Sequence, residues 1–371
     1  MDNACLSACG AWSILGGVSA GRSAPGAALV GAATEVGSAT ELGAVISRWV
    51  GRAVPHEGYM LAAVDPVTGA GCFLARGHGY TTAAARQLTL GERLNCDHPF
   101  PFQRLVAGPC HVGVLNTDGP VRRRSPTMRA VMADLGVGSE LRLALVDGGT
   151  TWGGLVLLRP RGARPFSPDE ASRAQHLARD IVAALRRYAT GVPPEPNRLG
   201  APPGVLVLGA DETILSATPS ARIWIRELET LPAAALAAPD LPMESTIWHL
   251  TQSVRGPEEP TPTRGPGMPG LTRVPTPRGW IAIRAQPMPT GAIAVTIQAA
   301  AGKELLSAVA LWQGLSPRER VVIDHVLEGL SSKQIARRLH VSPHTLNDHL
   351  KSIYRKAGVS TREELLSRFL N

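Results

Sequence analysis

Four serine-led helix starts crowded between Ser316 and Ser360 constrain the fold of this 371-residue chain more than any other feature. Ser316-Pro317-Arg318-Glu319 has the form of a capping box with proline at the first helical position. In such a box the serine hydroxyl serves an N–H of the first turn, and the acid three residues on reaches back to the serine N–H. Ser331-Ser332-Lys333-Gln334 repeats the form, with Leu330 placed to staple against Ile335. Ser342-Pro343 opens a third helix, with Val341 against Leu346, and Ser360-Thr361-Arg362-Glu363 has the box form once more before a fourth. Gly329 and Gly358 stand just past helix ends, where a left-handed residue closes a helix. Helices this short do not hold alone in water, so they must share one small core. Residues 315–371 are therefore expected to form an all-α four-helix domain.

The third of these helices has two distinct faces. Leu346, Leu350, Ile353 and Ala357 recur at i, i+4, i+7 and i+11, the spacing of a buried stripe. His344, Asn347, Asp348, Lys351 and Arg355 occupy the other side. Amide, carboxylate and cationic groups on one helix face suit the edges of bases in a major groove, where Asn, Lys and Arg donate and Asp accepts from cytosine. From Ser331 to Lys356 there are six Lys/Arg (Lys333, Arg337, Arg338, Lys351, Arg355, Lys356) against one acid, Asp348, a surface whose natural counterpart is phosphate. The chain's only lysines, Lys303, Lys333, Lys351 and Lys356, lie in its last fifth, which says more than the overall formal charge of +8.

The segment Leu315–Leu365 resembles the LuxR/NarL-type helix-turn-helix family of bacterial transcription regulators. The resemblance rests on Leu315-Ser316-Pro317-Arg318-Glu319, on Gly329-Leu330-Ser331-Ser332-Lys333-Gln334-Ile335-Ala336, and on Val341-Ser342-Pro343-His344-Thr345-Leu346-Asn347-Asp348-His349. It implies that the chain binds double-stranded DNA. It further implies that Asn347, Asp348 and Lys351, with His344 in the same row, face bases, and that Ser331, Lys333, Thr345, His349, Arg355 and Lys356 hold phosphates. Asn347 and Asp348 depart from the family's usual lysine-bearing pattern, so no operator sequence carries over.

The rest of the chain divides by composition. Residues 1–33 are small and Gly/Ala-rich, an arm with room for one helix. Helical periodicity over Thr34–Arg52, strands near Tyr59–Val64 and Gly71–Leu74, a helix over Ser125–Leu135, and a hairpin of Glu140–Val146 and Trp152–Leu158 about Asp147-Gly148-Gly149 precede a long helix opened by Ser167-Pro168-Asp169-Glu170. Trp152-Gly153-Gly154-Leu155-Val156-Leu157-Leu158 and Phe166-Ser167-Pro168-Asp169-Glu170 resemble the closing signature of a GAF domain, placed at 34–190. Residues 191–203 form a Pro-rich linker. Residues 204–299 resemble a smaller PAS-type α+β domain, with strands at 205–208, 214–215, 280–284 and 292–297 and a mobile Pro/Thr-rich loop over 256–278. A linker helix over 300–314 leads to the four-helix domain. The fold class expected is thus multidomain α+β with an all-α C-terminal domain.

A hydrophobic share of 44% with 18% charged residues, no apolar run long enough for a bilayer and an N-terminus unlike a secretory signal point to a cytoplasmic protein. Five scattered cysteines read as reduced thiols. A homodimer is expected, through the long helices of the GAF-like domain or the row Leu365, Leu366 and Phe369. RNA polymerase and a small-molecule ligand are further candidate partners.

Weaker constellations carry less. Gly17-Val18-Ser19-Ala20-Gly21 has the nucleophile-elbow pattern but lacks the preceding strand, and no acid, base and nucleophile set points to an enzyme. Cys96, His98, Cys110 and His111 match no standard zinc spacing, so no metal or cofactor is assigned. Arg122-Arg123-Arg124 reads as a solvated loop. Asp65 stands alone in a turn, unlike the acidic cluster of a phosphoacceptor domain, and no Walker-type loop is present.

Overall fold

The computed structural model describes residues 24–77, 98–117, 126–192, 199–228, 245–255, 270–300 and 302–370. By its internal contacts the chain divides into two compact units. The first is built mainly from residues up to Tyr188, and the second mainly from Ala189 onward together with Asp65–Ala70.

The first unit runs α1 (Ala24–Glu35), α2 (Ala39–Gly51), β1 (Gly58–Val64), β2 (Gly71–Gly77), α3 (Phe102–Ala107), β3 (Val112–Asn116), α4 (Pro126–Asp134), β4 (Val137–Asp147), β5 (Thr150–Pro160) and α5 (Pro168–Gly191). Its antiparallel sheet has the order β2-β1-β5-β4-β3. The β4–β5 hairpin turns at Gly148 and Gly149, whose φ of +58° and +75° a side chain would resist. Ser38 caps α2 by accepting from the N–H of Glu41, and Leu42, Ile46 and Val50 then fall on one buried stripe. At the head of α5 the Ser167 N–H donates to Glu170 Oε2 at 2.8 Å, while the Glu170 N–H returns to Ser167 Oγ. The same carboxylate holds Arg159 at 2.7 Å, and that guanidinium lies 4.1 Å from the centre of the Phe166 ring.

Residues 24–33, read as an arm with room for one helix, are helical, and Leu29 and Ala33 are buried. In β4, Glu140 and Arg142, which alternate with Leu141 and Leu143, are buried along with them. Both faces of this strand are covered, so its hydrophobic pattern understates its burial.

The second unit runs β6 (Gly204–Leu208), β7 (Ile214–Ala217), α6 (Pro219–Glu227), α7 (Ser245–Arg255), β8 (Leu271–Thr276), β9 (Gly279–Pro287), β10 (Ile293–Ala299), α8 (Gly302–Trp312), α9 (Pro317–Leu327), α10 (Ser332–Arg338), α11 (Pro343–Ala357) and α12 (Arg362–Leu370). Its sheet order, β7-β6-β10-β9-β8, repeats that of the first sheet strand for strand. Trp224, Trp248 and Trp280 are wholly buried in this unit. The loop expected over 256–278 is overturned across Leu271–Thr276, which pairs antiparallel with β9. Pro275 hid that strand; β8 is an edge, where a missing N–H costs no ladder bond. Helix α7 was not anticipated at all. Within the second unit Asp65 is fully buried, accepting from the N–H groups of Val67 and Thr68 and from the backbone and guanidinium of Arg273, the last at 2.7 Å.

Helix α8 buries Leu305, Ala308, Val309 and Trp312 at i, i+3, i+4 and i+7, and Glu304 pairs with Arg284 of β9. No helix among the described residues is long and apolar enough to cross a membrane.

Candidate nucleic-acid interface

Helices α9 to α12 are set by their ends. Ser316 Oγ accepts from the Glu319 N–H at 3.2 Å, and Glu319 Oε2 accepts from the Ser316 N–H at 2.6 Å. Ser331 and Gln334 form the second reciprocal box, at 3.4 and 2.8 Å. Ser342 Oγ accepts from the Thr345 N–H at 3.0 Å, with Pro343 in the first turn. The last box falls one residue later than the sequence suggests. Glu364 accepts from the N–H groups of Ser360 and Thr361, and its own N–H donates to Thr361 Oγ1, so Thr361 rather than Ser360 caps α12.

The far ends follow one rule. Helices α8, α9, α10 and α11 stop at Gly314, Gly329, His340 and Gly358, with φ of +75°, +81°, +53° and +64°. At each stop the next residue's N–H reaches back five positions to a carbonyl: Leu315 to Ala310, Leu330 to His325, Val341 to Ala336 and Val359 to Tyr354, at 2.9 to 3.2 Å. His340 occupies a position that favours glycine, and it forms the tight turn between α10 and α11.

Between these fixed ends, α11 shows two opposed stripes. Leu346, Leu350, Ile353 and Ala357 are buried. His344, Asp348, Lys351 and Arg355 have the same spacing two residues out of phase, about 200° around the helix, and all four are exposed. Asn347 is exposed on the flank of that stripe. His344 Nδ1 lies 3.2 Å from Asp348 Oδ2, with both side chains open to solvent. On α10, Lys333, Arg337 and Arg338 are exposed beside it.

The remaining residues expected at phosphates are not equivalent. Thr345 and Arg355 are exposed and His349 is half-buried. The Ser331 hydroxyl is committed to its cap, donating to Gln334 Oε1 at 2.8 Å. Lys356 is turned inward, its Nζ 2.6 and 2.9 Å from the two oxygens of Glu319. Burial alone would push the Glu319 carboxyl up, but Lys356, Ser352 and the Ser316 N–H outweigh it and hold that carboxyl at about 2. Lys356 therefore ties α9 to α11, and its charge is balanced within the domain. Two further ties are absent from the sequence reading. Arg362 Nη2 donates to the carbonyls of Val326 and Leu330, and Arg318 Nη2 to that of Leu339. The apolar row offered for dimerisation is also altered: Leu365 is fully buried within the chain, where α12 lies against α8 and α9.

In the first unit a buried polar cluster lies on the sheet. The Phe100 N–H donates to His98 Nδ1 at 3.0 Å, so the ring proton resides on Nε2, which meets Glu140 Oε1 at 3.2 Å. Arg142 Nε reaches the same oxygen at 2.6 Å, and its guanidinium lies 5.3 Å from the centre of the Phe102 ring. Burial, with the Arg142 charge beside it, pushes His98 down to about 2, and burial pushes the Glu140 carboxyl up against the pull of Arg142. His111 Nδ1 contacts the Leu105 carbonyl, and Cys110 approaches Val112 and Gln175. Among the described residues no group of three His, Cys, Asp or Glu is arranged to hold a metal. Ser19, Cys96 and Arg122–Arg124 lie outside the described residues.

Comparison with known proteins agrees with this geometry. Residues 313–369 match the family of bacterial regulatory proteins of the luxR type, and residues 29–185 match the GAF domain. An HTH-type transcriptional regulator of Mycobacterium bovis is 49% identical over 55 residues, 15% of this chain and 6% of its own length. The monoamine regulon transcriptional regulator of Klebsiella aerogenes is 44% identical over 54 residues, 15% of this chain and 24% of its own length. The chain thus spans less than a quarter of either relative. The crystal structure of Escherichia coli SdiA covers 92% of this chain and 94% of its own at 13% identity, with a TM-score of 0.32, a likeness too slight to bear an argument. The chain carries a GAF domain over residues 29–185 and a luxR-family helix-turn-helix domain over residues 313–369.

Proposed function

We propose that this chain is a cytoplasmic, sequence-specific DNA-binding transcription regulator, not an enzyme, whose operator affinity is set by a signal received in the GAF region. The observation that carries this reading is the stripe His344-Asp348-Lys351-Arg355. It is polar, exposed and opposite a fully apolar stripe on a helix fixed at both ends, with Lys333, Arg337 and Arg338 beside it. The domain order proposed is a GAF sensor up to about 190, a PAS-like α+β domain over 204–299, a linker helix over 300–314 and the DNA reader from 315. One such reader buries little surface on a duplex, so a homodimer reading two half-sites is the working form. By linkage, whatever binds upstream must prefer one of the two operator-affinity states.

The test is retention of random-sequence duplexes by the full chain as a function of salt. A regulator of this kind binds with an affinity that falls steeply with salt and enriches a defined, two-fold site. No retention of any duplex at low salt would refute the reading.

One observation favours a variant in which the GAF region answers to protein contacts. A methyl group on Gly113 would run into the Phe100 ring, and one on Gly154 into Phe102, so among the described residues these rings lie directly against the sheet that carries Glu140 and Arg142. A small molecule that co-purifies with the chain and raises its melting temperature would decide for a ligand.

A further inference from the structure

We infer that Asp348 selects a cytosine within the half-site that this domain reads, an inference that rests on the DNA-binding reading above. Asp348 stands midway along the exposed stripe of α11, diametrically away from Leu346, Leu350 and Ile353, where the helix would meet the floor of a groove. It is the sole acid between Ser331 and Lys356, among six Lys/Arg. Its side-chain partner among the described residues is His344, which is 88% exposed, so the carboxylate stays in solvent and is not consumed by the fold.

A carboxylate pressed towards a polyanion is repelled unless it meets a donor, and this one lies on the approaching face. The major groove offers base donors only from exocyclic amino groups, N4 of cytosine and N6 of adenine; guanine presents N7 and O6, and thymine O4, all acceptors. Adenine sets its N7 acceptor beside its amino group, which opposes a second carboxylate oxygen. The cytosine edge carries the amino group alone. Cytosine is therefore the base that Asp348 tolerates best, and guanine and thymine are rejected by like-signed edges. Lys351, one turn further on and cationic, has the opposite preference and suits a neighbouring guanine.

The experiment is selection from randomised duplexes by the full chain, run in parallel with Asp348→Ala and Asp348→Asn. The Asp348 side chain points to solvent, so both variants are expected to fold, which circular dichroism checks. Wild type is expected to enrich a cytosine at one position of each half-site, favoured roughly five- to hundredfold over the other bases. Asp348→Ala makes that position degenerate while binding non-specific duplex more tightly, because a negative charge has left the interface. Asp348→Asn moves the preference towards adenine. The inference is overturned if wild type and Asp348→Ala enrich the same base pair at every position, or if the position whose preference changes in Asp348→Ala is an A·T pair in the wild-type site. Failure of wild type to retain any duplex removes the DNA-binding reading itself, and this inference with it.

Discussion

Replacing Glu319 by Gln is expected to loosen the four-helix domain at one identifiable joint. Glu319 both completes the α9 capping box and receives Lys356 of α11, so one carboxylate serves the cap and the tie between the two helices. A carboxyl held at about 2 in the fold and released to 4.5 on unfolding stabilises the domain by about 3 kcal/mol at neutral pH. Because this carboxyl is depressed, the stability is present above pH 4.5 and is lost as pH falls from 4.5 towards 2. The amide keeps an oxygen for the Ser316 N–H but leaves the Lys356 ammonium, 29% exposed, without its counter-charge. Water reaches that ammonium, so the loss is set at about 2–3 kcal/mol rather than the larger value of a fully buried pair. Hydrogen exchange of the full chain, read on peptides from α9 and α11, should show protection falling by a factor of about 30 to 150. The double variant Glu319→Gln/Lys356→Met should recover most of that, since it leaves no unpaired charge. Protection within threefold of wild type in the single variant, or simple addition of the two single losses in the double, would refute the reasoning.

Three further outcomes are expected. Lys351→Ala weakens operator binding and lowers the slope of log affinity against log salt by about 0.9, measured by titration at several salt concentrations; an unchanged slope removes Lys351 from the interface. His340→Val, which puts a β-branched residue at φ +53°, costs about 1–2 kcal/mol by denaturant midpoint, whereas His340→Gly is tolerated within about 0.5 kcal/mol; equal effects would mean that the turn relaxes. Because His98 is held at about 2, the unfolded chain binds a proton near 6.5 that the fold refuses. Stability of the GAF domain is thus lost at up to about 1.4 kcal/mol per pH unit as pH falls below 6.5. His98→Gln should flatten that dependence between pH 6.5 and 5 in thermal melts, and an undiminished slope would place the proton elsewhere.

Legibility in the sequence tracked how local each signal is. The caps of α9, α10 and α11 were readable because a serine cap and its partner lie within four consecutive residues, and the αL glycines at 329 and 358 because glycine is the residue that conformation most favours. The same rule failed at α12, where Ser360-x-x-Glu363 and Thr361-x-x-Glu364 satisfy the pattern equally and only the backbone chooses. It failed again at α10, whose stop uses His340 where a glycine would have announced it. Strand β8 was missed because Pro275 counts against a strand in any window, although an edge position removes the objection. Burial of Glu140 and Arg142 was equally hidden, because it depends on Phe102 and His98, which arrive from far along the chain.

The interface itself divides along the same line. Residues on one helix face can be sorted by period alone, so His344, Asn347, Asp348, Lys351 and Arg355 were legible as a group. Whether a lysine at the end of that helix is available to a phosphate is not a matter of period. Lys356 is one residue from Arg355 and carries the same charge, yet Arg355 is exposed while Lys356 faces a carboxylate 37 positions away. A positive count along the chain therefore overstates the charge that a duplex would meet, because one cation is balanced by Glu319, which lies outside the basic segment. Asp348 acts in the opposite sense: it lowers the net charge and stays exposed on the face where the cations would bind. If attraction to phosphate were the whole role of α11, an acid at the middle of that face would only weaken it. Its position is intelligible if the helix discriminates among bases, since specificity is a difference of affinities to which a group repelled by the wrong base contributes.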